Sequence, residues 1–130
     1  MGVYEKDRTH TGFTPIDNAA DLMDEVAKYV YNEKYTPKKY RLTLGLDLVH
    51  KADEIYDNAT FANEIYLKKE NYAARRRLWT KAMANCKQLD RKLQRMRAVI
   101  PSSTLENMKE ILKLLNLEKG AIAERLDRER

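Results

Sequence analysis

From Thr14 onward, apolar residues recur at alternating steps of three and four in four separate stretches. That spacing puts them on one side of a helix, so the chain is constrained to build amphipathic helices. A β-sandwich or barrel would need turn residues at about every tenth position. The 130 residues hold only 4 Gly and 3 Pro, which excludes it. With 43% hydrophobic residues the chain can offset its conformational entropy, so it is not intrinsically disordered, and its length suits one domain.

The first stretch is expected to start at the cap Thr14, with Pro15 in the first turn and Asp17 completing a capping-box-like pattern. Its seam is Ile16, Ala19, Met23, Val26 and Val30. Thr36-Pro37 repeats this start for a second helix, whose seam runs Gly45, Leu48, Ala52, Ile55, Ala59, Ala62, Tyr66. The third seam is Trp79, Ala82, Cys86, Leu89, Leu93, Met96, Ile100, after which Pro101 breaks the chain. Ser103-Thr104-Leu105-Glu106 reads as a capping box for a fourth helix with the seam Leu105, Met108, Leu112, Leu115, Ile122, Leu126.

No Gly or Pro separates the second stretch from the third. One unbroken helix over 37–100 would be about 95 Å long. The apolar phase is lost near 67–71, so a turn is expected there, with Asn71 as cap.

Four such helices with short links predict an all-α, antiparallel up-down-up-down four-helix bundle over residues 14–130. Residues 1–13 are polar and aperiodic and are expected to form a loose N-terminal arm. Leu114, Leu117 and Ala121 form a second apolar line on the fourth helix, which is expected to meet another subunit. Gly45 and Gly120 are expected to permit close helix packing.

Charge is the most informative feature for function. The chain carries 25 Lys+Arg against 20 Asp+Glu, a formal +5. Residues 70–100 hold nine basic residues against two acidic ones, a net +7, while the other positions hold 16 against 18. Phasing the third helix on Trp79 and Cys86 sends Arg77, Lys81, Lys87, Arg91 and Arg95 outward, with no Asp or Glu among the outward positions. Solvated helix faces usually interleave signs, as the second helix does with Asp47 and Lys51. An unrelieved basic face about 27 Å long points instead to a polyanion. An acidic protein partner would use the same charges. Lys38, Lys39 and Arg41 form a second basic group in the first turn of the second helix. Cations there oppose the helix dipole, whereas a phosphate would reverse the sign.

Catalysis finds little support. Asp47-x-x-His50 has the carboxylate-to-histidine spacing of di-iron bundles, but those sites need two such pairs, and the other histidine is His10 in the arm. Cys86 is alone, so neither a disulfide nor a cysteine-based zinc site is expected. No catalytic residue, metal ligand or cofactor site is assigned. With no signal segment or long apolar run, a soluble, cytoplasmic protein that does not enter a membrane is expected.

The segment Tyr35-Thr36-Pro37-Lys38-Lys39-Tyr40-Arg41-Leu42-Thr43-Leu44-Gly45, followed by Phe61-Ala62-Asn63-Glu64 and a basic, Leu- and Ala-rich third helix, resembles a known family. It is similar to the small four-helix-bundle family that includes accessory variability determinant proteins of bacterial diversity-generating retroelements. The same family includes proteins encoded by intervening sequences in bacterial 23S rRNA genes. The likeness spans roughly residues 20–126. The chain departs from the family's Gly-Gly-Trp-like ending, having Lys119-Gly120-Ala121-Ile122 and a charged tail. The resemblance implies a barrel-shaped homo-oligomer, pentameric in relatives, that binds RNA and/or DNA. It further implies a non-enzymatic accessory to a reverse transcriptase in mutagenic retrohoming. By position, the nucleic-acid surface would comprise Lys38, Lys39, Arg41, Arg75, Arg76, Arg77, Lys81, Lys87, Arg91, Lys92 and Arg95. The alternative is a helical interaction module of the intervening-sequence type whose basic face docks an acidic protein.

Overall fold

The computed structural model describes residues 11–130. All regular structure among them is helical: four long helices, α1 (Thr14–Val30), α2 (Leu46–Glu64), α3 (Tyr72–Val99) and α4 (Lys109–Arg128), and no strand. α1 packs against α2 and α4, and α3 packs against the same two. Their apolar faces meet in one core that includes Leu22, Leu48, Ile55, Trp79, Leu89 and Leu115, with Leu22 buried where the expected seam residue Met23 is only partly so. Burying each such large side chain contributes about 1.5–3 kcal/mol.

Each helix start is built from local chemistry. Pro15 sits in the first turn of α1, but the residue before that helix is Phe13 and no side chain caps it. Asp17 reaches back instead: its Oδ1 accepts from the Thr11 N–H at 2.6 Å and its Oδ2 from the Gly12 N–H at 3.0 Å. Gly12 has φ +85°, which favours glycine. The Phe13 ring lies 6.1 Å from that of Trp79, and the Arg125 guanidinium lies over the Phe13 ring. Residues 11–13, expected in the loose arm, are therefore fastened to the core, and residues 1–10 of that arm lie outside the described residues.

The Thr36 hydroxyl donates to the Tyr29 carbonyl at 3.1 Å, closing the end of α1. Pro37 then opens a helical turn, Lys38–Tyr40, that runs through a π-helical segment, Arg41–Gly45, into α2. A Cβ at Gly45 would lie 2.7 Å from Val30 Cγ1, so the close approach of these segments requires glycine. Gly120 differs from expectation, because nothing lies within 4 Å of where its Cβ would be.

The break between α2 and α3 falls where the phase is lost. α2 ends at Glu64, and a 3-10 turn, Lys69–Asn71, leads into α3 with Asn71 at its N-cap. The Asn71 amide donates to the Tyr66 carbonyl at 2.9 Å. Tyr66, expected on the seam, is exposed in this link. The α3 seam is buried from Trp79 to Ile100. The capping box before α4 is shifted by one residue: Thr104 Oγ1 accepts from the Asn107 N–H at 3.2 Å, and Asn107 Oδ1 from the Thr104 N–H at 3.0 Å. Leu105 is consequently exposed.

Two glutamates occupy seam positions of the last segment. Glu118 is 0% exposed, and neither carboxyl oxygen has a hydrogen-bond partner. Burial pushes its pKa up to about 9, so the carboxyl is protonated at neutral pH. Burial likewise, with Glu118 adding to it and Lys119 opposing it, pushes the Cys86 thiol up to about 12. Glu129, 1% exposed, is fully partnered. Its Oε1 accepts from Arg75 Nε at 2.7 Å and Trp79 Nε1 at 3.2 Å, and its Oε2 from Arg75 Nη2 at 3.0 Å and Arg125 Nε at 2.8 Å.

Candidate nucleic-acid interface

α3 runs for 28 residues with one side in the core, which leaves the other side as a continuous outer face. Arg77, Lys81, Lys87, Arg91 and Arg95 all lie exposed on it. Among the described residues none of the five makes an ion pair or hydrogen bond. The arrangement follows from helical phase, because core contacts at Trp79, Ala82, Cys86, Leu89, Leu93 and Met96 leave the intervening cations no inward position. Ion pairs border the face on both sides: Lys92 Nζ lies 2.6 Å from Asp47 Oδ2 of α2, and Lys119 Nζ lies 3.8 Å from Asp90 Oδ2. The unneutralised charge is thus a strip one helix wide.

Other basic residues expected on this surface are employed elsewhere. Arg75 is 1% exposed and points into the core. Its Nη1 donates to the carbonyls of Ala62 at 2.9 Å and Ile65 at 2.7 Å at the end of α2, while Nε and Nη2 bind Glu129. Arg75 is therefore corrected from a surface contact to a buried structural residue. It stands four residues before Trp79, on the same side of the helix, and that phase was a signal in the sequence. Arg76 turns toward the end of α4, donating to the Leu126 carbonyl. Lys92 is committed to Asp47.

The second basic group is more engaged than the α3 strip. Lys38 Nζ lies 3.5 Å from Glu33, and Lys39 sits over the Tyr40 ring. Arg41 turns back, its Nε donating to the Val30 carbonyl at 3.4 Å and its guanidinium lying over Tyr31. Lys38 and Lys39 remain exposed.

The proposed subunit contact splits. Leu114 belongs to the core, a correction with a simple reason: it follows Ile111 by three residues and shares its buried side. Leu117 is 50% exposed and Ala121 half-buried. With Phe13, Pro15 and Gly120 they line an open groove of about 520 Å³ between the start of α1 and α4.

Asp47, the carboxylate of the Asp47-x-x-His50 pair, is held by Lys92, and His50 is exposed. Among the described residues no group of three His, Cys, Asp or Glu side chains could hold a metal ion. The raised thiol of Cys86 is buried beside Glu118 and is a poor nucleophile. No described helix is long and apolar enough to cross a membrane. No family model matches the chain, and neither a curated protein nor a solved structure matches it.

Proposed function

We propose that this chain is a non-enzymatic nucleic-acid-binding protein that works through the outer face of α3. The observation that carries this reading is the row of five exposed, unpaired cations from Arg77 to Arg95. A face of one sign costs self-repulsion, and phosphates relieve it by neutralisation and counterion release. The surrounding ion pairs at Lys92 and Lys119 make the contrast local to α3.

In this reading the four helices form an antiparallel up-down-up-down bundle that assembles into a homo-oligomeric barrel, a pentamer, in the cytoplasm. The exposed Leu117 and half-buried Ala121 would belong to the subunit contact. The partner is a reverse transcriptase of a diversity-generating retroelement, a role supported by the Tyr35–Gly45 and Phe61–Glu64 resemblance. Light scattering tests the assembly, and a monomer at micromolar concentration would overturn the pentamer.

The decisive experiment replaces Arg77, Lys81, Arg91 and Arg95 together with Glu. RNA and DNA binding should be abolished while helicity by circular dichroism is unchanged. Binding equal to that of the unmodified chain would sink the proposal. The competing reading is an acidic protein partner on the same charges. A pull-down with nuclease treatment separates the two, since a protein-only complex survives it.

A further inference from the structure

We infer that the α3 face takes base-paired nucleic acid, held by its two phosphate backbones, in preference to a single strand. This rests on the nucleic-acid reading above and names the substrate class of that same face.

The shape of the face comes first. α3 is an unbroken helix packed between α2 and α4 over a filled core, so its outer side is convex. Single strands are held in grooves that track a flexible backbone, with aromatic rings on which successive bases stack. Nothing of that kind accompanies the cations here. The exposed positions between them are Thr80, Ala84 and Gln94. The aromatic residue of the helix nearest the cations, Trp79, is fully buried and bonded to Glu129. The exposed aromatics among the described residues, Tyr31, Phe61 and Tyr66, lie outside α3 altogether.

Spacing and chemistry agree with a regular backbone. The five cations occupy about 27 Å of helix axis. A duplex presents one charge per about 1.7 Å of its own axis, whatever its sequence, so a straight rod of cations meets phosphates without distorting the ligand. A single strand must be straightened to match the same rod, which costs it conformational freedom. The small Thr80 and Ala84 allow the helix to approach the backbone closely. The long Arg and Lys stems can reach phosphates on either side of a groove that α3, flanked by α2 and α4, cannot enter deeply. Recognition should therefore be indifferent to sequence.

The test measures fluorescence-anisotropy binding of the full chain to a labelled 20-base-pair duplex and to an unstructured 20-nucleotide single strand, across a range of salt concentrations. The duplex should bind at least about tenfold more tightly. The slope of log K against log salt should be about −4.5, at about −0.9 per phosphate neutralised by the five cations. Arg91→Gln should make that slope shallower by about 0.9, whereas Lys113→Gln, on exposed α4, should leave it unchanged. Equal or tighter binding of the single strand would overturn the duplex preference and leave the broader proposal standing. Binding of neither ligand would overturn both. Duplex binding with a slope untouched by Arg91→Gln would show that the duplex sits on another surface, overturning the inference.

Discussion

The end of α4 and its middle both face the core with a glutamate, and the two positions are built in opposite ways. Around Glu129, Arg75, Trp79 and Arg125 supply donors to both carboxyl oxygens, and Arg76 holds the adjoining Leu126 carbonyl. Around Glu118, eleven residues earlier, neither oxygen has a partner. Burial acts on both carboxyls and would raise both. At Glu129 the hydrogen bonds and charges of Arg75 and Arg125 outweigh it and hold the carboxyl below its ordinary value. At Glu118 nothing opposes burial, and the group is kept neutral. One end of the helix is fixed by ions and the middle by apolar packing around a protonated acid.

The largest effect should come from breaking the ionic end. Glu129→Ala leaves Arg75 Nε and Nη2 buried without acceptors, and removing one partner of a buried pair costs about 3–5 kcal/mol. Urea unfolding followed by the fluorescence of Trp79, the single tryptophan, should show that loss. Replacing both partners, as Arg75→Met with Glu129→Leu, should recover part of it, because the fully buried charge of Arg75 goes with its acceptor, while Arg125 and the Trp79 N–H still lose theirs. A loss below about 1 kcal/mol for Glu129→Ala would mean that the Arg75 pair does not hold in solution.

The two glutamates also give stability opposite dependences on pH. Glu129, lowered in the folded state, contributes stability that is present above its ordinary 4.5 and is lost as pH falls through the folded value. Glu118, raised, binds a proton that the unfolded chain has already released. Its contribution is full below 4.5 and is lost as pH rises toward about 9. Unfolding measured across pH should therefore lose its acid limb in the Arg75→Met/Glu129→Leu variant. It should lose its alkaline limb in Glu118→Gln. Glu118→Leu removes the proton linkage and the unpartnered oxygens together, and should stabilise the protein by about 1–3 kcal/mol at neutral pH. An unchanged alkaline limb in both Glu118 variants would place the titration elsewhere.

These buried acids mark the limit of what apolar spacing reveals. From Trp79 to Ile100 phase alone identified the core, and the loss of phase near 67–71 located the turn before Asn71, whereas at the helix ends the apolar seam residues Tyr66 and Leu105 are exposed. Charged residues at the same phase escaped. Glu118 lies between Leu115 and Ile122, and Arg75 lies one helical turn before Trp79, but the resemblance, carried over by position, assigned Arg75 to the surface with Arg77. Which way a charge at a borderline position turns depends on a partner distant in sequence, here Glu129. The cap before α4 shifted for a similar reason, since the Ser103 hydroxyl is drawn to the Tyr35 carbonyl at 2.9 Å and Thr104 takes its place. The exposed strip from Arg77 to Arg95 was legible because no partner competes for it.

The smallest effect lies beside Glu118, at Gly120. Glycine inside a helix is less favourable than alanine by about 0.5–1 kcal/mol, chiefly because it has more freedom to lose on folding. Gly45 retains glycine for a visible reason, as a Cβ there would collide with Val30. At Gly120 the Cβ would meet nothing, and the position opens on the groove beside Leu117. Gly120→Ala should accordingly stabilise an isolated subunit by about 0.5–1 kcal/mol, whereas Gly45→Ala should destabilise it. Both shifts can be read from urea midpoints at protein concentrations low enough to exclude association. If Gly120→Ala instead destabilised the chain, and did so more at higher protein concentration, a second chain must approach the helix backbone at this point. The middle of α4 would then be specified by a contact between subunits, and its contrast with the ion-fixed end would be one between assembly and folding.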